Sequence, residues 1–525
     1  MSSAKTPGSG GEGRRNQRRF QDLDWPLHAK DSEVDSMDDR PNILWYCTDQ
    51  QRFDTIGALG NRYVQTPTMD GLVDQGVAFT RAYCQSPICT PSRSSFLTGM
   101  YPTRLHNTRN GNESFPTPPP LVTKLLKDSG YECGLIGKLH LQSSGQRTEP
   151  RVDDGYSFFK FSHAPRDDWP EGHDYADWVR EQGGDLDLLR LSDDHVPPEL
   201  HQTKWASDMA IDFIDRERDT PWLLSVNIYD PHPPFTPPRT YADRFDPIDM
   251  PGPHFRDSDL EQQAQLEAVD FQGEVLTPEQ RDAKVVQALY YAMIAHIDDQ
   301  LARILRELDD TGQRDNTVVI LTTDHGETLG DHGLMEKGCR FYEGLVRVPL
   351  IFSWPGHFSG SLRSNALVEL LDIMPTVLEL AGLEVPDYVQ GKSLLPILCG
   401  EAPSDHHRDF VRCEYFDAID TESAARPTGQ LGRVSVGHGD KPDSDSFDRQ
   451  RGSWATMYRD QRYKLVVYHG MGLGELYDLH EDPWEFDNLW DDTAHQSTKA
   501  DLVFASFDSH VLLTTDVGSR RIAPM

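Results

Sequence analysis

Asn42-Ile43-Leu44-Trp45-Tyr46-Cys47-Thr48-Asp49 is a short apolar run that ends on a carboxylate. Seven residues without polar alternation read as a strand buried on both faces, the kind found inside parallel sheets. The same arrangement recurs three times. Cys133 to Gly137 ends at Lys138, Trp222 to Tyr229 leads into Asp230-Pro231-His232, and Val318 to Thr323 ends at Asp324-His325. In open parallel α/β sheets ligands bind at the carboxyl ends of the strands. The four segments are therefore predicted to bring their polar ends to one site. The connectors read as helical: from Val285 to Leu308, apolar side chains fall at Val286, Leu289, Met293, Ile297, Leu301, Ile304 and Leu308, which is helical spacing with one buried face. Thr311-Gly312-Gln313 stops that helix before the Val318 strand, a right-handed βαβ-type connection.

A chain of 525 residues suits one large α/β domain and a smaller one. Residues 1–40 are Gly/Ser/Arg-rich, then Asp-rich, and read as a disordered tail. Residues 41–400 form the main domain in this reading. From 401 to 525 the pattern changes: Arg462 to Tyr468 and Glu475 to Leu479 read as strands joined by a Gly-rich turn, predicting a small antiparallel sheet. Residues 425–452 are polar and read as a long surface loop. No internal repeat is visible.

The composition bounds partners and compartment. There is no run of 18 apolar residues, and the N-terminal Arg pairs are not followed by an apolar stretch. A membrane span is not expected, and a cytoplasmic location is, with export left open. The formal charge of −34 makes nucleic acid and anionic membranes poor partners. Lysine supplies only 13 of the 51 basic residues. Such a surface suits high salt, where self-repulsion is screened, and it is equally that of an ordinary acidic cytosolic protein. Seven cysteines, an odd number with no C-x-x-C pair, indicate neither a disulfide framework nor zinc. Most read as small buried hydrophobes. The sequence carries no signature of oligomeric state.

Cys89 stands apart because of its neighbours, Thr90-Pro91-Ser92-Arg93-Ser94-Ser95-Phe96-Leu97-Thr98-Gly99. Pro91 fits the first turn of a helix and Gly99 can end it. Cys89 then lies at a helix N-terminus, where free N–H groups and the dipole favour an anion. On this ground alone Cys89 is either a reactive thiol or a structural one.

The segment Cys89-Thr90-Pro91-Ser92-Arg93 followed by Leu97-Thr98-Gly99 resembles the signature of type I, formylglycine-dependent sulfatases of the alkaline phosphatase-like superfamily. The likeness runs over roughly residues 41–490. It includes Gly137-Lys138-Leu139-His140, Asp230-Pro231-His232-Pro233-Pro234, Thr323-Asp324-His325-Gly326-Glu327, Leu371-Asp372-Ile373-Met374-Pro375-Thr376 and Leu476-Tyr477-Asp478-Leu479. The resemblance implies an α/β fold with a central mixed, mostly parallel sheet flanked by helices, and a smaller C-terminal antiparallel sheet.

It also implies roles. Cys89 would be oxidised to formylglycine by a formylglycine-generating enzyme or an equivalent. Asp49 and Asp324, with Gln50, His325 and residue 89, would bind one divalent metal, Ca2+ by family habit, with Mn2+ or Mg2+ as alternatives. Gln50 stands where many members have a second Asp, and His325 where many have Asn; an imidazole suits manganese better than calcium. Lys138 and Lys337 would hold sulfate oxygens, Arg93 the aldehyde hydrate, His140 the formylglycine hydroxyl and His232 the leaving group, while Asn110 would reach the substrate. One hydroxyl of the hydrate would attack sulfur and the other would then expel sulfate. His28, His163 and His201 read as surface or packing residues.

Two rival readings remain: a phosphonate monoester or phosphodiester hydrolase of the same superfamily, and a non-catalytic binding protein on a sulfatase scaffold. The charged pair Lys138 and His140 favours sulfate esters. The substrate is expected to be a sulfated carbohydrate attacked at or near a chain end, because residues 141–205 contain Trp169, Trp178 and Trp205, and Trp454 follows the polar 425–452 segment. Aromatic faces there would stack on sugar rings.

Overall fold

The computed structural model describes residues 40–115, 119–144, 148–167, 172–191, 196–418 and 451–515. Of the expected tail at 1–40, all but Arg40 lies outside them, as does most of the 425–452 loop. Arg40 to the C-terminus forms one compact unit.

Nine strands build the main sheet: β1 (Asn42–Thr48), β2 (Val77–Tyr83), β3 (Glu132–Gly137), β4 (Phe158–Phe161), β5 (Trp222–Asn227), β6 (Thr317–Thr323), β7 (Arg347–Val348), β8 (Leu350–Ser353) and β9 (Leu362–Glu369). Their order is β4-β3-β5-β1-β6-β8-β2-β7, with β9 beside β2. From β4 to β6 every pairing is parallel. The strand β8 runs antiparallel to both β6 and β2, so the sheet is mixed. The opening apolar run is β1, central and fully buried. Its side chains alternate between two cores, Ile43, Trp45 and Cys47 on one face and Leu44 and Tyr46 on the other. An apolar run without polar alternation is what a strand covered on both faces requires, and each large side chain so buried is worth about 1.5–3 kcal/mol.

The periodic segment folds as one helix, Ala283–Asp310, which buries Ile297, Leu301, Ile304 and Leu308 against the Leu44 face, with Met293 buried as well. Val286 and Leu289 are only half-buried, because the helix start turns towards solvent. The opposite face carries the helix Cys89–Thr98, all ten residues of which are buried.

The C-terminal part forms a four-stranded antiparallel sheet, β10 (Val411–Ala418), β11 (Arg451–Arg459), β12 (Tyr463–Tyr468) and β13 (Leu473–Asp478). Val411, Cys413, Tyr415, Met457, Val466 and Tyr468 join the same core as Ile43 and Trp45. A final helix, Gln496–Thr514, is not signalled by the sequence pattern, since its apolar residues spread around its circumference. All seven cysteines are free, and all are buried except Cys399.

Candidate active site

The carboxyl ends of β1, β3, β5 and β6 converge as the sequence predicts, and local geometry explains how each side chain is aimed. Past β1, Asp49 is locked between strands: its N–H donates to the Asp230 carbonyl at 3.2 Å. Gln50 then adopts a left-handed conformation (φ 70°) and donates its N–H to Asp324 Oδ1 at 3.1 Å. Past β3, Gly137 has φ 102°, and a Cβ there would lie 2.0 Å from the Asn227 carbonyl. Only glycine fits, and it delivers Lys138, whose carbonyl accepts from Asn227 Nδ2 at 2.8 Å.

Cys89 opens its helix, and Gly99 closes it with φ 68°. Cys89 Sγ lies 3.0 Å from Lys337 Nζ, 3.2 Å from His325 Nε2 and 3.8 Å from Asp49 Oδ1. One turn on, Arg93 donates through Nε to Asp324 (2.9 Å), through Nη2 to Asp49 (3.2 Å) and through Nη1 to the Lys138 carbonyl (2.9 Å). Its fork ties three strand ends together, which a lysine cannot do. Lys138 Nζ also pairs with Asp49. Asn110 Oδ1 accepts the Thr90 N–H at 2.9 Å, so it fixes the helix start beside the thiol.

Charge sets the protonation states. Burial would raise the Cys89 thiol, and Asp49 adds to that, but Lys138, Lys337 and His325 outweigh both and hold it well below the thiol range. Burial would also raise Asp49, yet Lys138, His232, Arg93 and Lys337 keep it well below the carboxylate range. Burial opposes charge on Lys337, but Cys89, Asp49 and Asp324 push it up to about 12. His325 is likewise pushed up to about 9 by Asp324 and Cys89 despite its burial.

Asp49, Cys89, Asp324 and His325 each offer a ligand atom, all within 4.8 Å of one another. Two carboxylates with an amide oxygen from Gln50 nearby are the hard donors a divalent cation takes. His325 Nδ1 faces the Gly326 carbonyl at 2.8 Å, which leaves Nε2 towards the cluster. The donor set fits a cation, although ligation through Nε2 requires the His325 proton to leave. Gln50 Oε1 already accepts from Lys337 Nζ at 2.7 Å, and its amide donates to Glu327.

A second wall holds His140, His163, Tyr229 and His232. Burial, then the positive charges of Lys138, Arg93 and Lys337, keep His140 well below its usual value. Burial and Lys337 bring His232 down to about 3. Both are neutral near pH 7. His232 Nδ1 lies 2.7 Å from the Pro233 carbonyl, so Nδ1 carries the hydrogen and Nε2 a lone pair. His140 sits at φ 59°, clamped by Glu149, which accepts the N–H of His140 (2.7 Å) and of Leu141 (3.1 Å).

His163 and His201 are packing residues, one of the two readings the sequence left open for them. The His163 ring stacks edge-on against His140 at 4.9 Å and lies 5.9 Å from Tyr229. It follows β4 by two residues, so the strand-end rule applied to that shorter run would have found it. His201 is also buried, 3.6 Å from Asp230. Trp205 is a core residue at 1% exposure and cannot stack on a sugar. Trp178 packs on Tyr175, and Trp454 packs on Phe416 with its Nε1–H on the Asp417 carbonyl. Trp169 lies outside the described residues, and so does His28. Glu149 was missed because nothing local separates it from other loop acids.

Fold and site together define a hydrolase of the alkaline phosphatase-like superfamily. The sulfatase family model matches residues 41–383. An arylsulfatase of Clostridium perfringens is 31% identical over 86% of this chain and 90% of its own length. An N-acetylglucosamine-6-O-sulfatase of Bacteroides thetaiotaomicron is 26% identical over 88% of this chain and 85% of its own. The crystal structure of a phosphonate monoester hydrolase of Agrobacterium radiobacter superposes with a TM-score of 0.74 at 26% identity, covering 90% of this chain and 96% of that one. The chain belongs to the sulfatase family and is a sulfuric ester hydrolase. No helix among the described residues is long and apolar enough to cross a membrane.

Proposed function

We propose that this sulfatase releases sulfate from a sulfated carbohydrate, with residue 89 converted to formylglycine as its nucleophile. The observation that carries the reading is the position of Cys89. It is buried at a helix start, between Lys337 and His325, with Asp49 and Arg93 beside it. A divalent cation held by Asp49, Asp324, Gln50 and His325 would neutralise sulfate oxygens as a Lewis acid. Formylglycine, as its hydrate, would supply two hydroxyls on one carbon, one to attack sulfur and one to expel sulfate afterwards.

The chain's own residues do the rest. Lys138 and Lys337 bind the non-bridging oxygens, whose charge is then held by fixed cations. Arg93 orients residue 89 and keeps Asp49 and Asp324 in place. Neutral His140 accepts the proton of the second hydroxyl. Neutral His232 has an Nε2 lone pair and no proton to give until a bound anion raises its pKa. The substrate's own charge would prime it as the acid for the leaving alcohol.

The carbohydrate assignment is supported by the N-acetylglucosamine-6-O-sulfatase relative and by a nucleophile at 1% exposure, which suits a terminal residue entering a recess. Of the aromatic platforms expected from the sequence, Trp178, Trp205 and Trp454 are taken up in packing and do not add support. A phosphonate monoester is the second reading, favoured by the structural match to a phosphonate monoester hydrolase. Lys138, buried and paired with Asp49, argues for the sulfate, whereas His140, expected to be charged beside it, is neutral and does not add to that argument. The test compares kcat/KM for aryl sulfate, sulfated sugars and a phosphonate monoester, using protein whose residue 89 conversion is confirmed by peptide mass. A sugar sulfate should lead. If the phosphonate leads, or aryl sulfate equals every sugar, the proposal fails.

A further inference from the structure

Behind the turn that carries His232 lies a second group of metal-ligating side chains that the sulfatase chemistry does not use. We propose that His201, Asp230 and His296 form a separate site for a transition-metal divalent ion of the zinc class.

The three side chains come from three elements. His201 precedes the helix Gln202–Ile214, Asp230 follows β5, and His296 lies mid-way along Ala283–Asp310. Each offers a ligand atom within 4.8 Å of the others, and all three are buried, at 5%, 5% and 0% exposure. His296 supplies the independent observation. Neither of its ring nitrogens has a hydrogen-bond partner among the described residues, although the side chain is wholly buried. A buried imidazole left with both nitrogens unused is an exception that calls for a ligand.

The spacing agrees. His201 Nδ1 and Asp230 Oδ2 are 3.6 Å apart, too far for a hydrogen bond. Two ligands at about 2.0 Å from a tetrahedral ion stand about 3.3 Å apart. Asp230 Oδ2 also accepts from the buried Thr203 hydroxyl, the kind of outer partner that orients a ligating carboxylate. His201 Nδ1 accepts the Thr203 N–H at 3.4 Å, a long contact that ligation through Nδ1 would replace. The rings of His201 and Tyr241 lie 4.7 and 4.6 Å from that of His296 and close the site from water. Two imidazoles and one carboxylate are zinc, cobalt or manganese donors and a poor calcium set, so this site and the oxygen-rich one at Asp49 and Asp324 would select different ions. The Asp230 carbonyl holds the Asp49 N–H, and His232 follows two residues later. An ion here would pin the turn from behind and act as a positioning element.

The test uses the full chain, stripped with chelator, saturated with Ca2+ and then titrated with Zn2+. One equivalent of zinc should remain bound after gel filtration, and His296→Phe should lose it while still melting cooperatively. Should that variant fail to fold, anomalous scattering at the zinc edge from wild-type crystals decides. Density between His201, Asp230 and His296 supports the site. Zinc found only at Asp49 and Asp324, or zinc retained in full by His296→Phe, overturns it. None of these readouts depends on the sulfatase reaction.

Discussion

Arg93 shows at the scale of one residue how this site spends its charge. It is 1% exposed and bonds two carboxylates that are themselves at 0%. Removing one partner of a buried ion pair leaves an uncompensated charge and costs about 3–5 kcal/mol. Arg93→Met should therefore lower stability by that order in urea unfolding, since Lys138 reaches only Asp49. Arg93→Lys should recover part of the loss and little activity, because a single ammonium cannot span both carboxylates and the Lys138 carbonyl. A loss below 1 kcal/mol for Arg93→Met would mean that the carboxylates find other partners. Cys89 gives the chemical counterpart. Cys89→Ala should keep the fold and abolish turnover. Cys89→Ser should release alcohol once, in an amount equal to the enzyme, and then stall, because one hydroxyl can accept sulfate but cannot expel it. Steady turnover by either variant in a sulfate-release assay would remove Cys89 from the mechanism.

At the scale of elements, the readable features were those coded by a few adjacent residues. The runs Asn42 to Thr48 and Val318 to Thr323 lack polar alternation, and a strand buried on both faces explains why. The apolar spacing from Val286 to Leu308 gave the long helix for a similar reason. What was not readable depends on contacts between distant segments. The antiparallel insertion of β8 between β6 and β2 leaves no local trace, and Glu149 becomes important only by reaching back to His140. Gly137 is where element and site meet. Gly137→Ala should force β3 off β5, because its Cβ would sit 2.0 Å from the Asn227 carbonyl at φ 102°. Activity should fall more than stability as Lys138 is displaced, and the two can be compared by kcat and by urea midpoint. A pH effect belongs to the loop Asp331–Gly333. His332 Nδ1 lies 3.2 Å from Asp259 Oδ1, with its ring stacked on Tyr342 at 3.9 Å. Burial disfavours its charge, yet Asp259 and Asp331 outweigh this and raise its pKa. A raised histidine stabilises the fold fully below its ordinary value of about 6.5 and loses that contribution as pH rises through the folded value. The stability gap between wild type and His332→Gln, measured by urea unfolding, should shrink as pH goes upward from 6. A gap that widens would reverse the sign and refute the pairing.

The whole molecule carries −34, yet the site assembles Arg93, Lys138 and Lys337 around residue 89. The two facts operate at different ranges. Within the site the cations touch their partners in a buried medium, where salt has little access, whereas the surplus acids repel one another across solvent. Screening acts on the second and hardly on the first: the Debye length falls from about 10 Å at 0.1 M to about 3 Å at 1 M. Raising KCl from 0.05 to 1 M should therefore increase the melting temperature, by roughly 1 °C for each kcal/mol of repulsion relieved in a chain of 525 residues. KCl is the right probe, because sulfate would also occupy the site as product and stabilise by binding. Arg93→Met should show the same rise from a lower starting point, since its defect is buried. A melting temperature that stays flat or falls with KCl would mean that the surface acids are already compensated locally by the arginines that dominate the basic residues, and the fit to high salt read from the composition would fail with it.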